Sequence, residues 1–254
     1  MIPAKQSTSD ISKNIVFVLF NDVTLVDFTG ATEVFNNVPN FVLHWLAPTM
    51  DPITTSENMK VLPTGTFADA PADIEILFVP GGNYKGIAAS MFDERYRNFL
   101  SAASARAVWT GSVCTGAFIL AAAGGLTNCN ATTYWSQLHN LSLLKEKYNI
   151  TVDQDHYPRY LIDAEQKRFS GGGISSSIDL ALELTKQIVD NKTSQMAQLF
   201  IQYAPGPPNQ SGDPSQAPPE ITKEVTAMEE SYTANMNEAV LKLLSEQQPA
   251  QSTN

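Results

Sequence analysis

Short apolar runs alternate along the chain with segments of helical periodicity. The apolar runs are N-I-V-F-V-L-F at 14–20, F-V-L-H-W-L-A at 41–47, I-E-I-L-F-V-P-G-G at 74–82 and A-V-W-T-G-S-V at 107–113. Helical patterns lie between or after them, at about 29–37, 93–104 and 115–123. Runs that are apolar throughout are typical of parallel strands covered on both faces. The alternation therefore predicts an α/β fold with a mainly parallel central sheet and helices on both of its faces.

Two hairpins are expected outside this alternation, at 53–67 and at about 160–173, because turn-forming residues separate β-prone flanks in both. After the second hairpin, serines at 175–177 are followed by Ile178, Leu182 and Ile188 near helical spacing. Serine is a favoured helix N-cap, so this pattern predicts an amphipathic helix packed on the sheet.

Three regions differ in composition. Residues 1–13 are polar and are expected to form a mobile arm ahead of a body at 14–219. The end of that body, 205–219, carries six prolines and has the composition of a linker. Residues 220–254 are expected to form one long helix with an apolar stripe at Val225, Met228, Tyr232, Met236, Val240 and Leu243 or Leu244. A lone helix would not leave this stripe in water, so we expect it to dock on the body or on a dimer partner.

Composition excludes some classes of function. The chain has 254 residues, 43% of them hydrophobic, which is enough for one large α/β domain. Its formal net charge of −10 argues against a nucleic-acid partner, which would require a basic face. No apolar run approaches a membrane span, and the first residues lack the apolar core of a signal peptide. We therefore expect a soluble, cytoplasmic protein with no membrane partner.

The junction between the apolar run at 107–113 and the following helix carries Cys114. A thiol on a tight strand-to-helix turn stands clear of the sheet, and the free N–H groups of the helix favour a thiolate. Gly111 and Gly116 would let the backbone turn sharply, as in a nucleophile elbow. A buried structural cysteine is the alternative. Cys129 lacks metal-ligand spacing and is expected to be a half-buried residue.

Ligands of such folds bind at the carboxyl ends of the strands, where the strand order reverses. Asp27, the turn at 80–82, and Cys114 with Thr115 all follow predicted strands and could converge there. Asp27 lies in the otherwise apolar L-V-D-F-T-G, where it is either a helix N-cap or a catalytic acid. The Gly81–Gly82 pair is either a simple turn or a source of free N–H donors close to a ligand.

Six segments together resemble the isonitrile hydratase branch of the ThiJ/PfpI superfamily. They are L-V-D-F-T-G, F-V-P-G-G, S-V-C-T-G-A-F-I-L-A-A-A-G, A-T-T-Y-W, S-G-G-G-I-S-S-S-I-D-L-A-L and Y-A-P-G-P-P-N-Q-S-G-D-P-S-Q-A-P-P. The likeness covers about residues 14–219. It implies a flavodoxin-like three-layer sandwich with a nucleophile elbow, a homodimer, and hydration of an isonitrile to an N-substituted formamide. It also implies that no metal or organic cofactor takes part.

The resemblance assigns roles to individual positions. It implies that Cys114 is the nucleophile, Thr115 its polar neighbour and Asp27 the acidic partner. It implies that the backbone N–H groups of Gly82 and Thr115 are oxyanion-type donors. The substrate-binding residues implied by the same likeness are Gly82, Tyr134, Trp135 and Ile174, the last of them bordering the pocket after the G-G-G turn.

One position departs from the family pattern. Related hydratases usually read A-T-T-H-W where this chain has Tyr134, and glyoxalase and protease members place a catalytic histidine near it. His44, His139 and His156 all lie elsewhere in the sequence. This disfavours a Cys–His pair, and with it glyoxalase-like or peptidase chemistry, but hydration assisted by Asp27 survives the substitution.

Another cysteine-dependent activity on small electrophiles, such as a glyoxalase-like one, stays open as an alternative, and so do two non-catalytic roles. In the first, Cys114 is a redox sensor that is oxidised to a sulfinate. In the second, the chain is a ligand-sensing domain like those fused to AraC-type regulators, which share the S-V-C-T-G-A and A-T-T stretches. Such regulators need a basic helix-turn-helix domain, whereas the C-terminal segment here is acidic.

Overall fold

A computed structural model describes residues 12–246. Its strands are β1 (Lys13–Val18), β2 (Phe41–Ala47), β3 (Ile53–Thr54), β4 (Lys60–Val61), β5 (Gly65–Thr66), β6 (Ile76–Val79), β7 (Trp109–Val113), β8 (Tyr160–Asp163) and β9 (Arg168–Gly171). Its α-helices are α1 (Leu25–Phe35), α2 (Tyr84–Phe92), α3 (Glu94–Arg106), α4 (Gly116–Ala122), α5 (Leu138–Ser142), α6 (Lys145–Tyr148), α7 (Ser176–Ile188), α8 (Asn191–Phe200), α9 (Pro219–Met228) and α10 (Glu230–Ser245). The arm predicted at 1–13 falls outside the described residues, except for its last two positions, and β1 already begins at Lys13.

Seven strands form one sheet in the order β5-β2-β1-β6-β7-β9-β8. All neighbours in it are parallel except β8, which runs antiparallel to β9. The hairpin predicted at 53–67 is present as the separate pair β3–β4, and the second predicted hairpin is β8–β9. Because the chain passes from β1 to β2 on one side and returns to β6 on the other, the strand order reverses between β1 and β6.

The sheet is covered on both faces, which explains the uninterrupted apolar runs. Every residue of β6 and β7 is buried. Helices α1, α7 and α8 pack together in one layer, and α2, α3 and α4 pack together in the other. The predicted flavodoxin-like three-layer sandwich with a mainly parallel sheet is therefore confirmed.

The helix boundaries differ from the predicted ones in three places. Helix α1 begins four residues earlier than the predicted start at 29, because Thr24, and not Asp27, occupies its N-cap position. Helix α2 begins directly after the glycine turn at 80–82, where the sequence pattern indicated no clear helix. The segment predicted as one long C-terminal helix is broken at Glu229 into α9 and α10.

The C-terminal helix α10 packs on α2 and α5 of the same chain. Met236, Val240 and Leu243 of its apolar stripe are at most 1% exposed. Lys147 donates hydrogen bonds to the carbonyl oxygens of Leu243 (2.6 Å) and Glu246 (2.8 Å) and so caps the end of the helix. In contrast, Met228 near the end of α9 is 81% exposed, so the stripe is buried only in its second half. Among residues 12–246, no helix is both long and apolar enough to span a bilayer.

Candidate active site

Cys114 occupies the turn between β7 and α4. Its φ is 91°, in the left-handed region that a non-glycine residue adopts only under local constraint. Its backbone is held on both sides, since its N–H donates to Gly171 O (3.1 Å) and its carbonyl oxygen accepts a hydrogen bond from the Thr133 hydroxyl. The side chain is 8% exposed. This is the geometry of a nucleophile elbow.

The glycines on either side of the elbow serve close packing. A Cβ added to Gly116 would lie 2.4 Å from Pro80 O, and one added to Gly111 would lie 2.1 Å from Phe169 O. The left-handed residue of the turn is Cys114 itself, and the glycines allow the turn by leaving room for the neighbouring backbone. Gly116 lets the start of α4 lie against the end of β6.

Asp27 lies in the first turn of α1 and is fully buried. Its Oδ2 accepts a hydrogen bond from the Gly81 N–H (2.8 Å), whereas its Oδ1 is buried without a partner among the described residues. A Cβ added to Gly81 would lie 2.8 Å from Asp27 Oδ2, 2.8 Å from Thr115 N and 2.9 Å from Cys114 Cβ. The ends of β6 and β7 and the first turn of α1 therefore converge on one point, as predicted from the strand order.

Burial controls the protonation of this pair. It raises the pKa of Asp27 from 3.8 to about 7, against the lowering effects of hydrogen bonds from Gly81 and Cys114. Burial, followed by the charge of Asp27, raises the pKa of the Cys114 thiol well above 9, although the Thr115 N–H has the opposite effect. The N–H at the start of the helix thus favours the thiolate, but burial and the charge of Asp27 act in the opposite direction and favour the thiol. Because the charge of Asp27 contributes to the pKa of the Cys114 thiol, the titrations of the two groups are coupled.

Thr115 and Gly82 are joined by two hydrogen bonds. The Gly82 N–H donates to Thr115 Oγ1 (3.0 Å), and the Thr115 hydroxyl donates back to Gly82 O (2.9 Å). The Gly82 N–H is thus engaged in this structure, and its predicted use as an oxyanion donor requires that its hydrogen bond to Thr115 be exchanged for one to the ligand. The Thr115 N–H faces the Cys114 sulfur and lowers the pKa of its thiol, so it can donate to negative charge at that atom.

The C-terminal helices add two polar side chains to the site. Tyr134 OH donates to Glu229 Oε1 (2.7 Å), and Tyr232 OH donates to Gly82 O (3.0 Å). Burial raises the pKa of both tyrosines above the ordinary value of 10, and the hydrogen bond to Glu229 adds to the effect at Tyr134. Glu229 Oε2 is buried without a hydrogen-bond partner among the described residues.

Tyr134 and Trp135 border a cavity of about 330 Å³ beside the elbow. Thr133, directly before Tyr134, also lines it. The other lining residues come from the loop before β8, the turn after β9 and the proline-rich segment, and include Tyr157, Pro158, Gly172, Gly173, Asp213 and Pro214. Ile174, expected to border the pocket, is not among the lining residues and is 49% exposed. Cys114 does not line the cavity directly, but Thr133, which contacts its carbonyl oxygen, does.

Comparisons with known proteins identify relatives of this chain. Residues 13–189 match the model of the DJ-1/PfpI family. Isonitrile hydratase from Pseudomonas putida is 35% identical over 213 residues, which cover 83% of this chain and 87% of that protein. The chain belongs to the DJ-1/PfpI family. Its likeness to that hydratase places it on the isonitrile hydratase branch of the family, as the sequence motifs indicated.

Two further relatives define how far the likeness extends. A ThiJ/PfpI family protein from Pseudomonas syringae superposes with a TM-score of 0.83 at 27% identity, covering 90% of each chain. The HTH-type transcriptional regulator GbdR from Pseudomonas aeruginosa is 26% identical over 68% of this chain, but the match covers only 46% of the regulator. The chain therefore resembles the P. syringae protein along nearly its whole length and the regulator only in part.

The histidines of this DJ-1/PfpI family member form hydrogen bonds away from the elbow. His44 lies close to Asn14 (2.9 Å), His139 to Gln154 (3.4 Å) and His156 to Asp153 (2.9 Å). Within residues 12–246, no group of three or more histidine, cysteine or acidic side chains is arranged to hold a metal ion. The polar groups gathered around Cys114 are thus carboxyl, hydroxyl and backbone N–H groups.

Sequence reasoning missed Glu229 and Tyr232 as site residues. The sequence pattern places Tyr232 in the apolar stripe, and no motif marks Glu229. Cys129, in contrast, lies close to Thr127 O (3.5 Å) and Gln166 Oε1 (3.8 Å), away from the elbow. It is 3% exposed, so it is more deeply buried than the half-buried position expected.

Proposed function

We propose that the protein hydrates an isonitrile, R–N≡C, to an N-substituted formamide, with Cys114 as nucleophile and Asp27 as its proton partner. The observation that carries this proposal is the convergence of a strained elbow cysteine and a buried carboxyl group around Gly81. The 35% identity to an isonitrile hydratase supports the choice of substrate class. A homodimer that needs no metal or organic cofactor is part of the same proposal.

The first half of the reaction uses both members of the pair. As the isonitrile approaches, the Cys114 thiol passes its proton to the Asp27 carboxylate, and the sulfur attacks the terminal carbon. Asp27 then gives that proton to the same carbon, which yields a thioimidate, R–N=CH–S–Cys. A carboxyl group with a pKa near 7 suits both transfers, because general acid–base catalysis is most effective when the pKa lies near the working pH.

The second half releases the product. Water adds to the thioimidate carbon, and the nitrogen takes a proton to give R–NH–CH(OH)–S–Cys. The C–S bond then breaks as the hydroxyl group loses its proton, which leaves R–NH–CHO and returns the thiol. The balance is one isonitrile and one water for one formamide, so the chemistry requires no external oxidant or reductant.

The test is to incubate the purified protein with cyclohexyl isocyanide in the presence of a chelator and to measure the formamide. Cys114→Ala is expected to abolish turnover with the fold intact, and Asp27→Asn is expected to lose most of it, since an amide does not deliver the proton. Cys129→Ser is the matched control and should be nearly silent. Equal loss in both cysteine variants, at matched circular dichroism, would remove the special role of Cys114.

A failed test would also discriminate the alternatives. Formation of lactate from methylglyoxal without any formamide would favour a glyoxalase-like activity. Absence of both products, together with stoichiometric sensitivity of Cys114 to peroxide, would favour the redox sensor.

A further inference from the structure

Isonitrile hydration requires two protons at two different atoms. Asp27 serves the carbon in the first half of the reaction, but the nitrogen must gain a proton when water adds to the thioimidate. A base must also take a proton from that water, because neutral water is a weak nucleophile. Asp27 is held by the Gly81 N–H on the α1 side of the elbow. A second proton carrier beside Cys114 would therefore complete the chemistry.

Glu229 is placed to be that carrier. It lies at the break between α9 and α10, and its Oε1 accepts the hydrogen bond from Tyr134 OH at 2.7 Å. Tyr134 directly follows Thr133, whose hydroxyl binds the Cys114 carbonyl oxygen, and it lines the cavity beside the elbow. Glu229 is thus linked through Tyr134 and the adjacent Thr133 to the backbone of Cys114.

A second set of contacts reaches the opposite side of the elbow. Tyr232 lies three residues after Glu229, on the same helical turn, and its hydroxyl donates to Gly82 O. Gly82 in turn exchanges two hydrogen bonds with the Thr115 side chain, one through its N–H and one through its carbonyl oxygen. These contacts fix the start of α10 against the elbow. The charge of Glu229 is among the causes that raise the pKa of the Cys114 thiol, after burial and Asp27, so the two groups lie within electrostatic reach.

Glu229 also has an unused acceptor atom. Its Oε2 is buried and has no hydrogen-bond partner among the described residues. A buried, unpaired carboxylate oxygen costs free energy unless a ligand satisfies it. A water molecule or a substrate N–H held at Oε2 would satisfy it.

We propose that Glu229, oriented by Tyr134, is the proton carrier for hydrolysis of the thioimidate. This inference rests on the proposed isonitrile hydration and adds a residue to it. Glu229 Oε2 takes a proton from the attacking water as the C–O bond forms. It then gives that proton to the neighbouring nitrogen, which regenerates the carboxylate. The hydroxyl group of the water is then on the carbon, and its proton is on the nitrogen.

The role predicts a specific defect in Glu229→Gln. Formation of the thioimidate, which uses Cys114 and Asp27, should not slow, since loss of the Glu229 charge shifts the pKa of the Cys114 thiol downwards, whereas hydrolysis should slow about 100-fold. The variant should therefore accumulate a covalent adduct whose mass equals the protein plus one whole isonitrile. Intact-protein mass spectrometry after rapid mixing with cyclohexyl isocyanide measures the adduct, and formamide release measures turnover. Glu230→Gln, at the exposed neighbouring position, is the matched control and should behave as the wild type.

A second variant tests the orienting contact. Tyr134→Phe keeps the carboxylate but removes its 2.7 Å hydrogen bond, so it should also accumulate the adduct, with a smaller loss of hydrolysis than Glu229→Gln. It provides the same test if Glu229→Gln fails to fold. A merely structural role would slow adduct formation and hydrolysis together, and that result would overturn the proposal.

The outcomes separate the two proposals. If the wild type turns over, Glu229→Gln is fully active and neither variant accumulates an adduct, the proposed role of Glu229 is refuted. The proposed isonitrile hydration is then still supported. If the wild type forms neither adduct nor formamide, the proposed function itself fails, and the role of Glu229 fails with it.

Discussion

Asp27 should destabilise the fold as the pH rises, and Asp27→Asn should remove that dependence. The folded-state pKa of about 7 lies above the ordinary value of 3.8, so the folded protein keeps a proton that the unfolded chain has already lost. Below about pH 4 both states are protonated, and the raised pKa has no net effect. Between about pH 4 and pH 7 the stability of the wild type falls, because the unfolded state binds fewer protons.

The magnitude follows from the same pKa. The gap between 3.8 and about 7 corresponds to about 4 kcal/mol, at about 1.4 kcal/mol for each pKa unit. Burial is the main cause, since the side chain is fully inaccessible and its Oδ1 has no hydrogen-bond partner within residues 12–246. Asn can still accept the Gly81 N–H through its own oxygen. We therefore expect the free energy of unfolding of Asp27→Asn, relative to the wild type, to rise by about 4 kcal/mol from pH 4 to pH 8.

Urea denaturation of both proteins at pH steps from 4 to 8 measures this difference, because other titrations cancel in the comparison. Asp69→Asn is the control. Hydrogen bonds from Thr66 lower the pKa of Asp69 below its ordinary value of 3.8, so its contribution to stability changes only below that pH, and the difference between Asp69→Asn and the wild type should stay nearly constant from pH 4 to pH 8. A stability difference between Asp27→Asn and the wild type that stays constant across the pH range would refute the reasoning.

Three further predictions concern other parts of the molecule. Gly81→Ala should lower turnover on the order of 100-fold, because the added Cβ would lie 2.8 Å from Asp27 Oδ2 and 2.9 Å from Cys114 Cβ; an unchanged kcat/KM at matched circular dichroism would contradict this. Met236→Ala should lower the free energy of unfolding by about 2–5 kcal/mol, since its side chain is fully buried; a loss below about 1 kcal/mol in urea denaturation would show that α10 contributes little. Methylglyoxal should yield little lactate, because Tyr134 is a weak base at neutral pH; chromatography that detects abundant lactate and no formamide would overturn this expectation.

The sequence pattern determined the architecture and the elbow. Uninterrupted apolar runs alternating with helical patterns are local signals, and the buried β6 and β7 match them because a strand covered on both faces has no polar side to display. The convergence of Asp27, the glycine turn and Cys114 was also predictable, since it requires only that parallel strands end at the same edge of a sheet.

Only the tertiary structure decided what each group does at that edge. Whether Asp27 caps α1 or faces the thiol depends on where the helix begins, and the pattern placed that start four residues too late. The Gly82 N–H donates to Thr115, and burial raises the pKa of the Cys114 thiol. Both effects arise from packing between segments that are distant in sequence.

Glu229 shows the same limit most clearly. It meets Tyr134 across 95 residues of sequence, after the chain has passed through the proline-rich segment and α9. Hydrophobic periodicity reports which face of a helix is buried but not where the helix breaks or which loop it meets. A contact of that sequence separation depends on the whole path of the chain, so only the folded protein brings the Glu229 carboxylate to Tyr134.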